Sequence, residues 1–135
     1  MSSKGRPFRT KTIDDFSILI GKGDVENDIL TFEVADPEDF WLHVVDYAGS
    51  HVVIKNPNHL RVEDLPDNAL RHAAELSAWH SKARDRRGKV EVHVCKAMHV
   101  SKPAGFPPGK VTLRHWSGIM VYPRDPTLEV GDEDS

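Results

Sequence analysis

A single cysteine, Cys95, in 135 residues excludes an internal disulfide framework and fits a reducing compartment. No apolar run approaches the roughly eighteen residues that span a bilayer, so no membrane segment is expected. The first residues, Met1 to Pro7, carry charge with no hydrophobic stretch behind it, which predicts a cytoplasmic chain without a secretory signal. The eight histidines include no His-x-His or His-x-x-x-His pair, and Cys95 has no partner at zinc spacing, so neither metal nor cofactor is expected. There are no internal repeats.

Basic residues are absent from one end of the chain. From Asp125 onward the sequence holds five acids and no Lys or Arg, which leaves residues 1–124 at +2 although the whole chain is −3. Within that body the cations cluster. Lys4, Arg6, Arg9 and Lys11 form one group; Lys82, Arg84, Arg86, Arg87 and Lys89 form a second, diluted only by Asp85. Such clusters suit phosphate. The bland alternative for half of the second group is a helix end, where Lys82 and Arg84 meet the negative pole of the dipole.

Periodicity predicts one domain of α+β class: a mostly antiparallel sheet with one long helix packed on one face and a short helix besides. Residues 1–12 lack periodicity and read as a mobile basic arm, 13–123 as the domain, and 124–135 as a disordered acidic tail. Phe16–Ile20 reads as the first strand. Asp24, placed to cap, opens the short helix. Phe40–Asp46 and His51–Lys55 form two strands of a hairpin. Asp64-Leu65-Pro66 opens the long helix, which extends to about Asp85 with Ala69, Leu70, Ala73 and Leu76 in one stripe. Val90–Cys95 alternates as a strand, and Val111–Leu113 with Ile119–Val121 reads as a closing hairpin.

Alternation also assigns faces. With the helix covering Leu42, Val44, Val52, Ile54, Val90, Val92, Val94, Val111 and Leu113, the opposite face collects Trp41, His43, His51, Glu91, His93, Cys95, Thr112 and Arg114. An open aromatic and polar face of that kind suits unpaired bases, which stack on aromatic side chains. The competing reading buries Trp41 beneath another element.

Several pieces in order resemble the RNA-binding (NFACT-R) domain of the NFACT ribosome-quality-control factors. They are Gly21-Lys22, Glu26-Asn27-Asp28-x-Leu30-Thr31, Asp39-x-Trp41-x-His43, and Gly49-Ser50-His51-Val52-Val53. They continue with Ala73-Ala74, Ser81-Lys82-Ala83-Arg84, and Val100-x-Lys102-Pro103-x-Gly105-x-x-Pro108-Gly109-x-Val111. The resemblance spans about Leu19 to Tyr122 and implies a cytoplasmic domain that contacts RNA, either tRNA or ribosomal RNA, with the large ribosomal subunit as a further partner. Longer members add domains and promote tailing of stalled chains; this chain is not expected to do so alone. It departs from the family pattern at Lys22-Gly23 and in the 101–110 loop, where Ser101, Ala104 and Pro107 stand at often-basic positions.

The expected RNA contacts are therefore Trp41, His43, His51 and Arg114 on the sheet, with Lys22, Lys82, Arg84 and Lys102 on phosphate. No catalytic residue is assigned. Two alternatives stay open: an enzyme of RNA modification or hydrolysis using His43 and His51, with Ser50 as a possible nucleophile, and a protein-interaction domain docking through its acidic tail. Ser50 as a turn-shaping residue, Asn27 as a backbone partner, Asp39 as a clamp on the Pro37 loop and Cys95 as an inert thiol are the structural readings.

Overall fold

A computed structural model describes residues 5–126. Its elements in chain order are β1 (Phe8–Ile13), β2 (Phe16–Gly21), α1 (Asp24–Ile29), β3 (Phe40–Val44), β4 (Val52–Ile54), α2 (Asp67–Trp79), β5 (Val90–Lys96), β6 (Val100–Ser101), β7 (Thr112–Leu113) and β8 (Ser117–Val121). A π-helical turn, Leu30–Val34, continues α1. Six strands form one antiparallel sheet in the order β1-β2-β4-β3-β5-β8, and β6 pairs with β7 apart from it. The class is α+β, as expected.

The first strand corrects the N-terminal reading. Phe8–Ile13 is not part of a mobile arm but the edge strand of the sheet, with Ile13 opposite Phe16. The turn between them is Asp14-Asp15, both at positive φ (50° and 69°). Two such residues match the twist of a tight hairpin. Of the acidic C-terminal segment, residues 124–126 are described and Asp125 is buried; the expectation for 127–135 falls outside the described residues.

Helix α2 is shorter than predicted. Asp64 lies in a preceding 3-10 turn, and the helix ends at Trp79. There the Ser81 hydroxyl donates to Ala78 O (2.6 Å) and accepts from Ala83 N (3.0 Å), closing the turn. Its small-residue stripe does what was expected. Ala69, Ala73 and Leu76 pack with Ile18, Ile20, Leu42, Val44, Val52, Ile54, Val90, Val92 and Val94 in the main core.

The other sheet face is covered too. Leu19, Trp41, Val53 and Cys95 pack with Leu30 from the π-turn and Val100 from β6. Val111 and Leu113 join this second cluster and not the main core, and β7 pairs with β6, so the closing hairpin is not formed. β8 instead pairs with β5. The two-residue period of residues 111–121 is real, but periodicity does not choose a strand's partner.

Candidate nucleic-acid interface

The stretch Asp39–Val52 organises two adjoining regions, one buried and one open. In the buried region Trp41 is 2% exposed and His51 1% exposed, so neither can serve as an open platform for a base. The covering elements are α1 with its π-turn and the 102–110 loop, and polar bonds tie them down. Trp41 Nε1 donates to Thr31 Oγ1 (3.0 Å), and Thr31 Oγ1 lies 2.8 Å from His51 Nδ1. His51 Nε2 lies 3.0 Å from Gly109 O. A carbonyl only accepts, so Nε2 carries the proton, Nδ1 accepts, and the Thr31 hydroxyl donates to it. Burial pushes the His51 pKa down to about 4, aided by neighbouring His43, so this neutral tautomer persists at ordinary pH.

Asn27 completes the join. Its Oδ1 accepts from His51 N (3.0 Å) and its Nδ2 donates to Gly49 O (3.2 Å), while Ser50 Oγ donates to Gly21 O (2.6 Å). The Ser50 proton is thus held by a carbonyl, which supports the turn-shaping reading. Asp39 clamps its loop as expected, accepting from Asp36 N and Asn56 N (2.8 Å each). Burial pushes the Cys95 thiol up to about 12, which keeps it protonated and inert. Among the described residues, no group of three His, Cys, Asp or Glu converges to hold a metal.

Lys102 is also drawn inward. Its Nζ stands 3.1 Å from Asp28 Oδ2 and donates to Lys110 O (2.9 Å) and Pro107 O, while Gly109 N donates to Asp28 Oδ1 (3.1 Å). Lys102 thus pins the loop, its ammonium engaged by Asp28 and by two loop carbonyls. Arg114 donates to Met98 O (2.9 Å) and lines neither cavity described below. His43 is half-buried, and desolvation lowers its pKa.

The open region is a cleft of about 390 Å³ lined by Arg9, Lys22, Lys82 and Arg84, with Trp79, His80 and one carboxylate, Asp24. Three distant segments meet there. Arg9 comes from edge strand β1, Lys22 from the turn after β2, and Lys82 and Arg84 from the turn after α2. The last turn of α2 contains no basic residue, so the dipole explanation of Lys82 and Arg84 fails. Their place is set by backbone pairing instead: Ser50 N donates to His80 O (2.9 Å) and Lys82 N to Ala48 O (2.8 Å). The Arg84 guanidinium lies 4.0 Å from the centre of the Trp79 ring, a cation–π contact that orients it. Arg9 and Trp79 were not among the expected contacts. The only signal for Arg9 was the N-terminal basic cluster, and Trp79 carried none.

The cleft depends on a close approach at Gly49. A Cβ there would lie 2.3 Å from Ser81 Cβ and 2.8 Å from Ser81 Cα. Gly49→Ala is expected to lower stability by about 2–3 kcal/mol, because backbone on both sides must move. A denaturant midpoint unchanged from the parent would contradict this.

Comparison with known proteins bears on the same residues. Residues 6–115 match the model of the NFACT protein RNA binding domain. The chain is 38% identical over 112 residues to the Rqc2 homolog RqcH of Bacillus subtilis strain 168, covering 83% of this chain and 18% of that protein. It is 27% identical over 106 residues to mouse coiled-coil domain-containing protein 25, covering 78% of this chain and 50% of that protein. A solved structure, the C-terminal of the fibronectin/fibrinogen-binding protein from Streptococcus suis, is 37% identical with a TM-score of 0.80, covering 94% of this chain and 49% of that one. The chain thus spans between about a fifth and a half of these relatives.

Proposed function

This chain belongs to the NFACT RNA-binding domain family, and from that membership we propose that it binds RNA through the cleft of Arg9, Lys22, Lys82 and Arg84. The RNA class is tRNA or ribosomal RNA, the setting is cytoplasmic ribosome quality control, and the large ribosomal subunit is the larger partner. The observation that supports this best is the meeting of Arg9, Lys22, Lys82 and Arg84, from three segments of the chain, on one cleft. Four cations around a single carboxylate favour a polyanion. Arg86, Arg87 and Lys89, all exposed, extend the positive surface beyond Arg84. No helix among the described residues is long and apolar enough to cross a membrane.

Binding of labelled tRNA and of a single-stranded RNA, followed by fluorescence anisotropy across a salt series, tests this. If all four cations contact a single strand, log K should fall with log salt at a slope of about −3. That is roughly fiftyfold between 50 and 200 mM salt. Lys102→Ala should leave the slope unchanged, since its ammonium holds the loop. A flat salt profile, or no binding of either RNA, would sink the proposal.

A further inference from the structure

A second cavity adjoins the cleft. It encloses about 540 Å³, and Asp24, Ala48 and Gly49 line both spaces. That volume lies within the range of roughly 300–1,000 Å³ usual for small-molecule sites. Its lining is aromatic below and acidic at the rim. Half-buried His43 lies nearly parallel to the Trp41 indole, at 19° and 6.0 Å between centroids, and His93 sits opposite His43 on β5. Exposed Asp46, at a positive φ of 66°, and exposed Asp24 supply carboxylates, and Lys110 stands on the loop side.

Two carboxylates beside a single lysine repel phosphate, so this cavity differs in kind from its cationic neighbour. A neutral, flat, hydrogen-bonding group suits it. We infer that it receives one unstacked nucleobase, guanine in preference to uracil, while that nucleotide's phosphate occupies the adjoining cleft. The inference rests on the RNA-binding reading and deepens it. Carboxylates only accept hydrogen bonds. Guanine presents N1–H and N2–H side by side, a pair one carboxylate can take bidentately, whereas uracil offers a single N–H between two carbonyls. A base held this way must be out of a duplex, so the module reads loops and single strands.

The test uses three eight-nucleotide single-stranded RNAs that differ only at a central position: guanine, uracil or abasic. Affinity and salt slope are measured for the parent protein and Asp46→Asn. The guanine strand is expected to bind at least tenfold tighter than the abasic strand with the same salt slope, and several-fold tighter than the uracil strand. Asp46→Asn, a substitution that tolerates the local backbone, should remove most of the guanine preference, bringing the guanine strand to within about twofold of the abasic strand on the same variant; a tenfold preference kept by this variant overturns the role of Asp46. Equal affinity for guanine and abasic strands, with the salt slope intact, overturns the base pocket and leaves the cationic cleft standing. A uracil strand that binds as tightly as guanine overturns the base class. Failure of all three strands to bind overturns both readings.

Discussion

His51→Ala is expected to lower folding stability by about 3–5 kcal/mol, the range for removing a large buried ring together with its hydrogen bonds. The imidazole is 1% exposed, lies in edge contact with Trp41 at 5.0 Å between centroids, and joins Thr31 to the Gly109 carbonyl. Its loss empties that volume and strands two polar groups. A whole domain of this size holds only about 5–15 kcal/mol, so the variant should be partly unfolded in mild denaturant. His51→Phe separates the causes: it fills the space yet leaves the Thr31 hydroxyl proton without its acceptor and the Gly109 carbonyl without its donor, and should cost about 1–3 kcal/mol. The pH dependence has a definite sign. The folded pKa of about 4 lies below the unfolded value near 6.5, so the unfolded chain binds more protons between them. Stability is complete above about pH 6.5 and falls by about 3 kcal/mol as pH drops toward 4. His43 and His80, both lowered mainly by burial, add in the same direction. Thermal melts of the parent and of His51→Gln, which does not titrate, should diverge least at pH 4. Parallel curves from pH 7 to 4 would refute this account.

Neutralising Lys82 and Arg84 together should weaken RNA binding by roughly tenfold to a hundredfold at low salt, and flatten the salt slope by about 1.4 on a single strand. The loss should be similar for every RNA sequence, because on the proposed reading these side chains meet phosphate and not base edges. Both are exposed and follow α2, so melting temperature should stay within a degree or two. Arg84→Lys is informative by itself. It keeps the charge but gives up the planar guanidinium that stacks on Trp79. It should retain the salt slope while losing part of the affinity. Unchanged binding in the double variant would move the RNA site elsewhere.

The sheet's inward face was legible because Leu42, Val44, Val52, Ile54, Val90, Val92 and Val94 alternate in strands long enough to show their period. β1 was not legible, because Phe8–Ile13 alternates Arg9 and Lys11 with few apolar residues, and its turn uses Asp14-Asp15 where glycine would have signalled a hairpin. The direction of Trp41 and His51, away from the inward face, was legible; of the two readings of exposure, the one that buries Trp41 beneath another element is what the structure shows. Alternation says where a side chain points, but what covers it depends on how α1 with its π-turn folds back and on the 102–110 loop, 51 or more residues further along the chain. Gly21, Asn27, Thr31, Trp41, His51, Lys102 and Gly109 belong to one bonded cluster that holds the fold together, directly or through Asp28. Lys82 and Arg84 were found from charge clustering, and Lys22 from the family resemblance at Gly21-Lys22. Their meeting with Arg9 was a product of topology.

His80, on the wall of the cationic cleft, feels both Arg9 near one end of the described chain and Asp125 near the other. The fold is therefore entered and left beside the same opening.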